Sequence, residues 1–156
     1  MGKYVKNFLV ISLILCCLST CDIFDDKYSL DYSEIEKFEY FTFTEKGTLV
    51  IRNAADYDAL LINHWDWSLR DKNGINPVPH VNFDSHMVII VHYGRKLNGC
   101  ANAVDVITSI KTDDNKIYVN LRKLPELGTR EAEAYPLQAV KLEKSSMKVI
   151  FEGHLP

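Results

Sequence analysis

His80, His86 and His92 stand six residues apart, with His64 upstream of them, and imidazole is both a common metal ligand and the side chain best suited to acid–base work near neutral pH. If His86 and His92 share a strand, the even interval puts both on one face. They then lie about 20 Å apart, at roughly 3.3 Å per residue, too far to grip one ion. A metal site would need His64 or His80 to join one of them across the fold. The sequence has no Cys-x-x-Cys and no His-Glu-x-x-His, so neither a metal nor a cofactor is expected. There is likewise no glycine-rich phosphate loop and no Gly-x-Ser-x-Gly. Asp66, Asp71 and Asp84 could pair as acid and base in one cleft, but no spacing rule brings them together. A hydrolase assembled from His80 and Asp84 therefore ranks below a binding function, and the chain reads as non-enzymatic.

Recognition is the better-supported chemistry. Trp65-Asp66-Trp67 precedes a long polar loop, residues 68–82, and Arg70 and Arg95 could bring cations to those indoles. Trp and Arg are favoured where binding energy concentrates. The simpler reading packs one Trp in the core and lets the other cap it. Candidate binding residues are Trp65, Trp67, Arg70, His80, Asn82, Tyr93 and Arg95, on a surface made by the 68–82 loop and the 94–99 turn. The leading occupant is another exported protein. The alternative is a small ligand or an envelope glycan stacked on Trp65, Trp67 and Tyr93.

The elements that must hold these residues follow from periodicity. Phe38–Thr44 and Thr48–Arg52 are rich in aromatic and β-branched residues around Lys46-Gly47, which predicts a hairpin. Asn53 is a candidate N-cap for a helix over about Ala54–Trp67, with Tyr57, Leu60, Leu61 and His64 at helical spacing. Met87–Tyr93 is apolar on both parities, as in a strand covered on both faces. Val104, Val106 and Ile110, then Ile117, Val119 and Leu121, alternate with polar residues around the turn Asp113-Asp114-Asn115. Tyr135-Pro136 opens a further extended run, and Met147, Val149 and Phe151 form a last strand. One helix with six or seven mostly antiparallel strands is an α+β domain.

The N-terminus says where that domain works. Lys3 and Lys6 precede an apolar run, Phe8–Leu18, of signal-peptide length and too short to span a bilayer. Leu18-Ser19-Thr20-Cys21 resembles the bacterial lipobox, which implies cleavage before Cys21, a lipid on its thiol and a membrane-anchored protein of the bacterial cell envelope, facing the periplasm or the cell surface. Residues 1–20 are then signal, 21–37 a flexible tether and 38–156 the single domain. Without Lys3 and Lys6, 16 basic residues face 21 acidic ones, a balance that disfavours nucleic acid. Cys16 and Cys17 leave with the signal. Cys100 is the one thiol left in the domain, either buried, crosslinked to a partner or reactive.

Pro77-Val78-Pro79-His80-Val81-Asn82-Phe83 followed by Met87-Val88-Ile89-Ile90, then Gly94 and Gly99, Ile117-Tyr118-Val119 and Tyr135-Pro136-Leu137-Gln138-Ala139-Val140, resembles the PrcB C-terminal-like domain family over roughly Thr48–Phe151. Asn82 stands where that pattern has Asp. The resemblance implies a small exported domain without catalytic residues or cofactor, and its namesake implies a non-catalytic partner of an exported protease.

Overall fold

The computed structural model describes residues 28–68, 73–74, 78–97, 102–125 and 133–156. Cys21, Arg70, Asp71, Cys100 and the expected signal segment lie outside them. Ten strands and one α-helix are described: β1 (Tyr28–Ser29), β2 (Tyr32–Glu34), β3 (Lys46–Ile51), α1 (Ala54–His64), β4 (His86–Tyr93), β5 (Lys96–Leu97), β6 (Ile107–Thr112), β7 (Lys116–Leu121), β8 (Glu133–Ala134), β9 (Leu137–Glu143) and β10 (Lys148–Gly153). The α+β class holds. The strand number is larger than expected because short strands pair where the sequence reads as spacer or loop.

Two four-stranded sheets stack face to face, one ordered β1-β6-β7-β10 and the other β2-β9-β4-β3, with β5 and β8 forming a small ribbon. Among the described strands all pairings are antiparallel except β7 with β10, and an isolated parallel bridge joins Ala103 to Leu137. Strand β4 explains the layering. Its odd residues Met87, Ile89 and Val91 pack between the sheets against Ile110, Ile117 and Val119. Its even residues Val88 and Ile90 pack on the other side against Tyr57, Leu60 and Leu61 of α1. A strand apolar on both parities can be satisfied only in the middle layer, and β4 occupies it.

Residues 28–34, expected in the tether, enter both sheets. Tyr28–Ser29 pairs with β6, the chain crosses at Leu30-Asp31, and Tyr32–Glu34 pairs with β9. The domain thus begins before Phe38. The expected hairpin between Phe38–Thr44 and the next strand does not form, since β3 pairs with β4. Phe38, Phe41 and Phe43 all bury on one side of the domain. Strict alternation would send Phe38 to the face opposite Phe41 and Phe43. A 3-10 turn over Phe38–Tyr40, entered through Lys37 at φ 67°, brings the three together.

Helix α1 starts as expected, with Asn53 Oδ1 accepting from Asp56 N at 2.9 Å. It stops at His64, three residues short of the expected end. Thr42 N donates to the His64 carbonyl at 2.8 Å, and Trp65 turns extended to bridge Phe41. A bulge near Ile107 in β6 breaks its alternation, and Val106 and Ile107 are buried consecutively.

Candidate functional site

One end of the sandwich gathers most of the candidate chemistry. Segment Thr42–Glu45 is its hub, receiving α1 through His64 and the turn after β4 through Arg95 N, which donates to the Thr44 carbonyl at 3.2 Å. Phe43 is buried against two imidazoles, with ring centroids 4.6 Å from His64 and 4.2 Å from His92. His92 Nδ1 donates to the Glu45 carbonyl at 2.8 Å, and its ring lies over Gly47, where an added Cβ would come within 3.1 Å of Nε2. Burial holds the His92 pKa below the usual histidine range, and the neighbouring His64 adds to the depression against the pull of the Glu45 carbonyl. These histidines are packed aromatic surfaces.

On the rim of this end, Arg95 pairs with Glu133 across the β5–β8 ribbon, and Tyr135 Oη donates to Glu133 at 3.2 Å. Each partner stabilises the other's charged form, lowering the Glu133 pKa and raising that of Arg95. Trp67 is 50% exposed and Leu97 69% exposed here.

Several of the residues expected to bind have other duties. Trp65 is buried, set edge-on to Phe41 at 4.9 Å and to Tyr40 at 6.0 Å, so it is the core member of the Trp pair and Trp67 the outer one. Tyr93 is buried in the layer between the sheets, and its hydroxyl has no hydrogen-bond partner among the described residues. Trp65 packs on the helix side. The expected stacking surface of Trp65, Trp67 and Tyr93 therefore does not exist as one surface. Asn82 shapes a turn, its Oδ1 accepting from Asp84 N at 3.0 Å and its carbonyl from His86 N. Asp66 Oδ1 accepts from both the hydroxyl and the N–H of Ser68, which lowers the Asp66 pKa.

His80 is exposed at the opposite end, beside Glu34, Glu36, Lys37 and Lys141. It follows Pro79, whose carbonyl accepts from the buried Tyr57 hydroxyl near the start of α1 at 2.8 Å. The binding residues expected on one surface are thus divided between two ends. His86 and His92 lie on one face of β4, as the even interval requires, at its opposite ends. Among the described residues no three His, Cys, Asp or Glu side chains group as metal ligands, and no helix is long and apolar enough to cross a membrane.

The end that holds His86 has a feature with no counterpart in the sequence patterns. A cleft of about 430 Å³ opens between the sheets, with Leu30, Ile117, Leu142 and Met147 among its apolar lining and Asp31, Lys144 and Ser145 among its polar lining. Arg52 braces this end, donating to the carbonyls of Ser145 at 2.9 Å and Met147 at 2.7 Å. The lining comes from four separate stretches of chain, so no local motif marks it.

No family model, no curated protein and no solved structure matches this chain.

Proposed function

We propose that this is an exported, lipid-anchored, non-catalytic domain that holds another envelope protein at the end of the sandwich bearing Trp67 and Leu97. The observation that carries the reading is the exposure of Trp67, at 50%, two residues from the buried Trp65. A half-exposed indole, an exposed Leu97 and the solvent-facing Arg95–Glu133 pair are the kinds of apolar and polar group that protein partners bury. The signal-like N-terminus with Cys21 supports export and anchoring, because multiple acyl chains hold a domain on a membrane that one chain would let go. The resemblance to the PrcB C-terminal-like family supports an exported protease, or a protein bound to one, as the partner class.

The test is affinity capture of the full-length protein from gently solubilised membranes, with Trp67→Ala and Cys21→Ala alongside. One stoichiometric exported protein is expected, lost with Trp67→Ala while the circular dichroism spectrum is unchanged. Capture of no stoichiometric protein by the wild type contradicts the proposal. The 430 Å³ cleft favours a second function, binding of a small amphipathic ligand between the sheet ends. In that case such a compound should raise the melting temperature, and Leu142→Ala should abolish the rise.

A further inference from the structure

Strand β10 is the long edge of its sheet: β7 flanks one side, and on the other no strand pairs with it among the described residues, the Gly153 carbonyl alone accepting locally from Leu155 N at 3.2 Å. Its central residues Val149, Ile150 and Phe151 are half-buried, as apolar residues on an open edge are. Natural proteins cover such an edge or disrupt it; this one carries neither proline nor bulge, only the charges of Lys148 and Glu152 on either side of its apolar centre. The hydrogen-bond parity is fixed by the strand's end, where His154 N donates to the Leu121 carbonyl at 3.1 Å. Even-numbered residues thus direct their main chain at β7, and Val149 and Phe151 direct theirs outward.

The sequence Lys148-Val149-Ile150-Phe151-Glu152 is complementary to itself when run antiparallel about Ile150. That register pairs Val149 with Phe151 of a second copy, and the reverse, so the outward main-chain groups meet in hydrogen bonds on both sides of the axis. Lys148 falls opposite Glu152 of the second copy, twice by symmetry. Ile150 meets its own image on the axis. Shifting the register by two residues either way keeps the main-chain bonds and loses both charge pairs. Within the chain's own sheet Lys148 is registered against Lys116, a like-charge pairing that is unfavourable. A carboxylate arriving on the other side of Lys148 offsets it.

We propose that two copies of this chain join through antiparallel β10–β10 pairing centred on Ile150, which merges two four-stranded sheets into one continuous sheet with isologous two-fold symmetry. The occupant of this edge is a second copy because the charge pattern of the strand complements itself. The short strand β1 lies at the opposite edge of the same sheet.

The test uses the full-length protein in its native membranes. In an antiparallel non-hydrogen-bonded pair the Cα atoms are about 4.5 Å apart, within disulfide range. Ile150→Cys should therefore crosslink to a species of twice the mass on mild oxidation. Tyr118→Cys, one strand inward, should not. Adding Lys148→Glu or Glu152→Lys to Ile150→Cys should abolish the crosslink by setting like charges together, and coexpressing those two variants should restore it, since each then complements the other. The Lys148→Glu chain should keep or raise its melting temperature, because it places a carboxylate in register with Lys116. No crosslink from Ile150→Cys in folded protein, equal crosslinking from Tyr118→Cys, or indifference to the charge changes would each overturn the proposal.

Discussion

Where β4 ends, Phe43 lies between the rings of His64 and His92, Arg95 pairs with Glu133, and Trp67 and Leu97 reach into solvent. Where β4 begins, the sheets part instead over a cleft floored by Leu30, Ile117, Leu142 and Met147 and braced by Arg52. The first end presents exposed aromatic, apolar and charged side chains, the second a cleft of mixed apolar and polar lining. The proposed protein recognition at Trp67 and the proposed small-ligand binding in the cleft rest on that difference. The two poles share the layers of β4 and β9, so a change in the core should affect both, and a change on a rim only one.

The sharpest way to break the aromatic end is Phe43→Ala. Phe43 is buried and stacked on both faces, so its loss should cost about 3 to 5 kcal/mol by chemical denaturation. Next is Gln138→Leu. Gln138 is buried in the shared layer, its Oε1 accepting from Val106 N at 2.7 Å and Ile107 N at 2.6 Å while its Nε2 donates to Glu34. Two buried donors would lose their acceptor, so about 2 kcal/mol or more should be lost, lowering stability for both poles at once. Tyr93→Phe should act in the other direction. Its hydroxyl is buried without a partner among the described residues, and removing it should raise stability by about 1 kcal/mol, measured in the same denaturation experiment.

Acidification distinguishes the poles more gently. The folded His92 pKa is depressed, so between the unfolded value near 6.5 and the lower folded value the unfolded chain binds more protons. The stability contributed by neutral His92 is complete above that window and is lost as pH falls through it. The melting temperature should fall from about pH 7.5 to about pH 5, and less so in His92→Phe. A smaller effect on folding than that of Phe43→Ala is expected for Trp67→Ala, because half of that side chain is already in water. Its main consequence should appear in partner capture.

The middle of the domain was legible because single patterns dictate it. Residues Met87–Tyr93 are apolar on both parities and take the central layer, and Asp113 makes the β6–β7 turn by accepting from Asn115 N and Lys116 N. Asn53 caps the helix where its position implied. The edges were less legible. Tyr28–Ser29 and Tyr32–Glu34 are too short to show a period and pair only because β6 and β9 offer partners. Phe38, Phe41 and Phe43 look like a strand by composition, yet the need to bury all three on one side bends the chain into a turn. Of the candidate site, the Trp pair was readable as one buried and one outer ring. The separation of His80 from Trp67, the burial of Tyr93 and the existence of the cleft depend on contacts between distant segments, which carry no local signature.

The most direct test of partner binding at the aromatic pole places a photo-crosslinking residue at Trp67 or Leu97 of the full-length protein in native membranes, and in parallel at Lys144 beside the cleft. The same single protein adduct is expected from Trp67 and Leu97 and none from Lys144; an adduct confined to Lys144, or none at any position, would contradict the assignment of protein recognition to that pole.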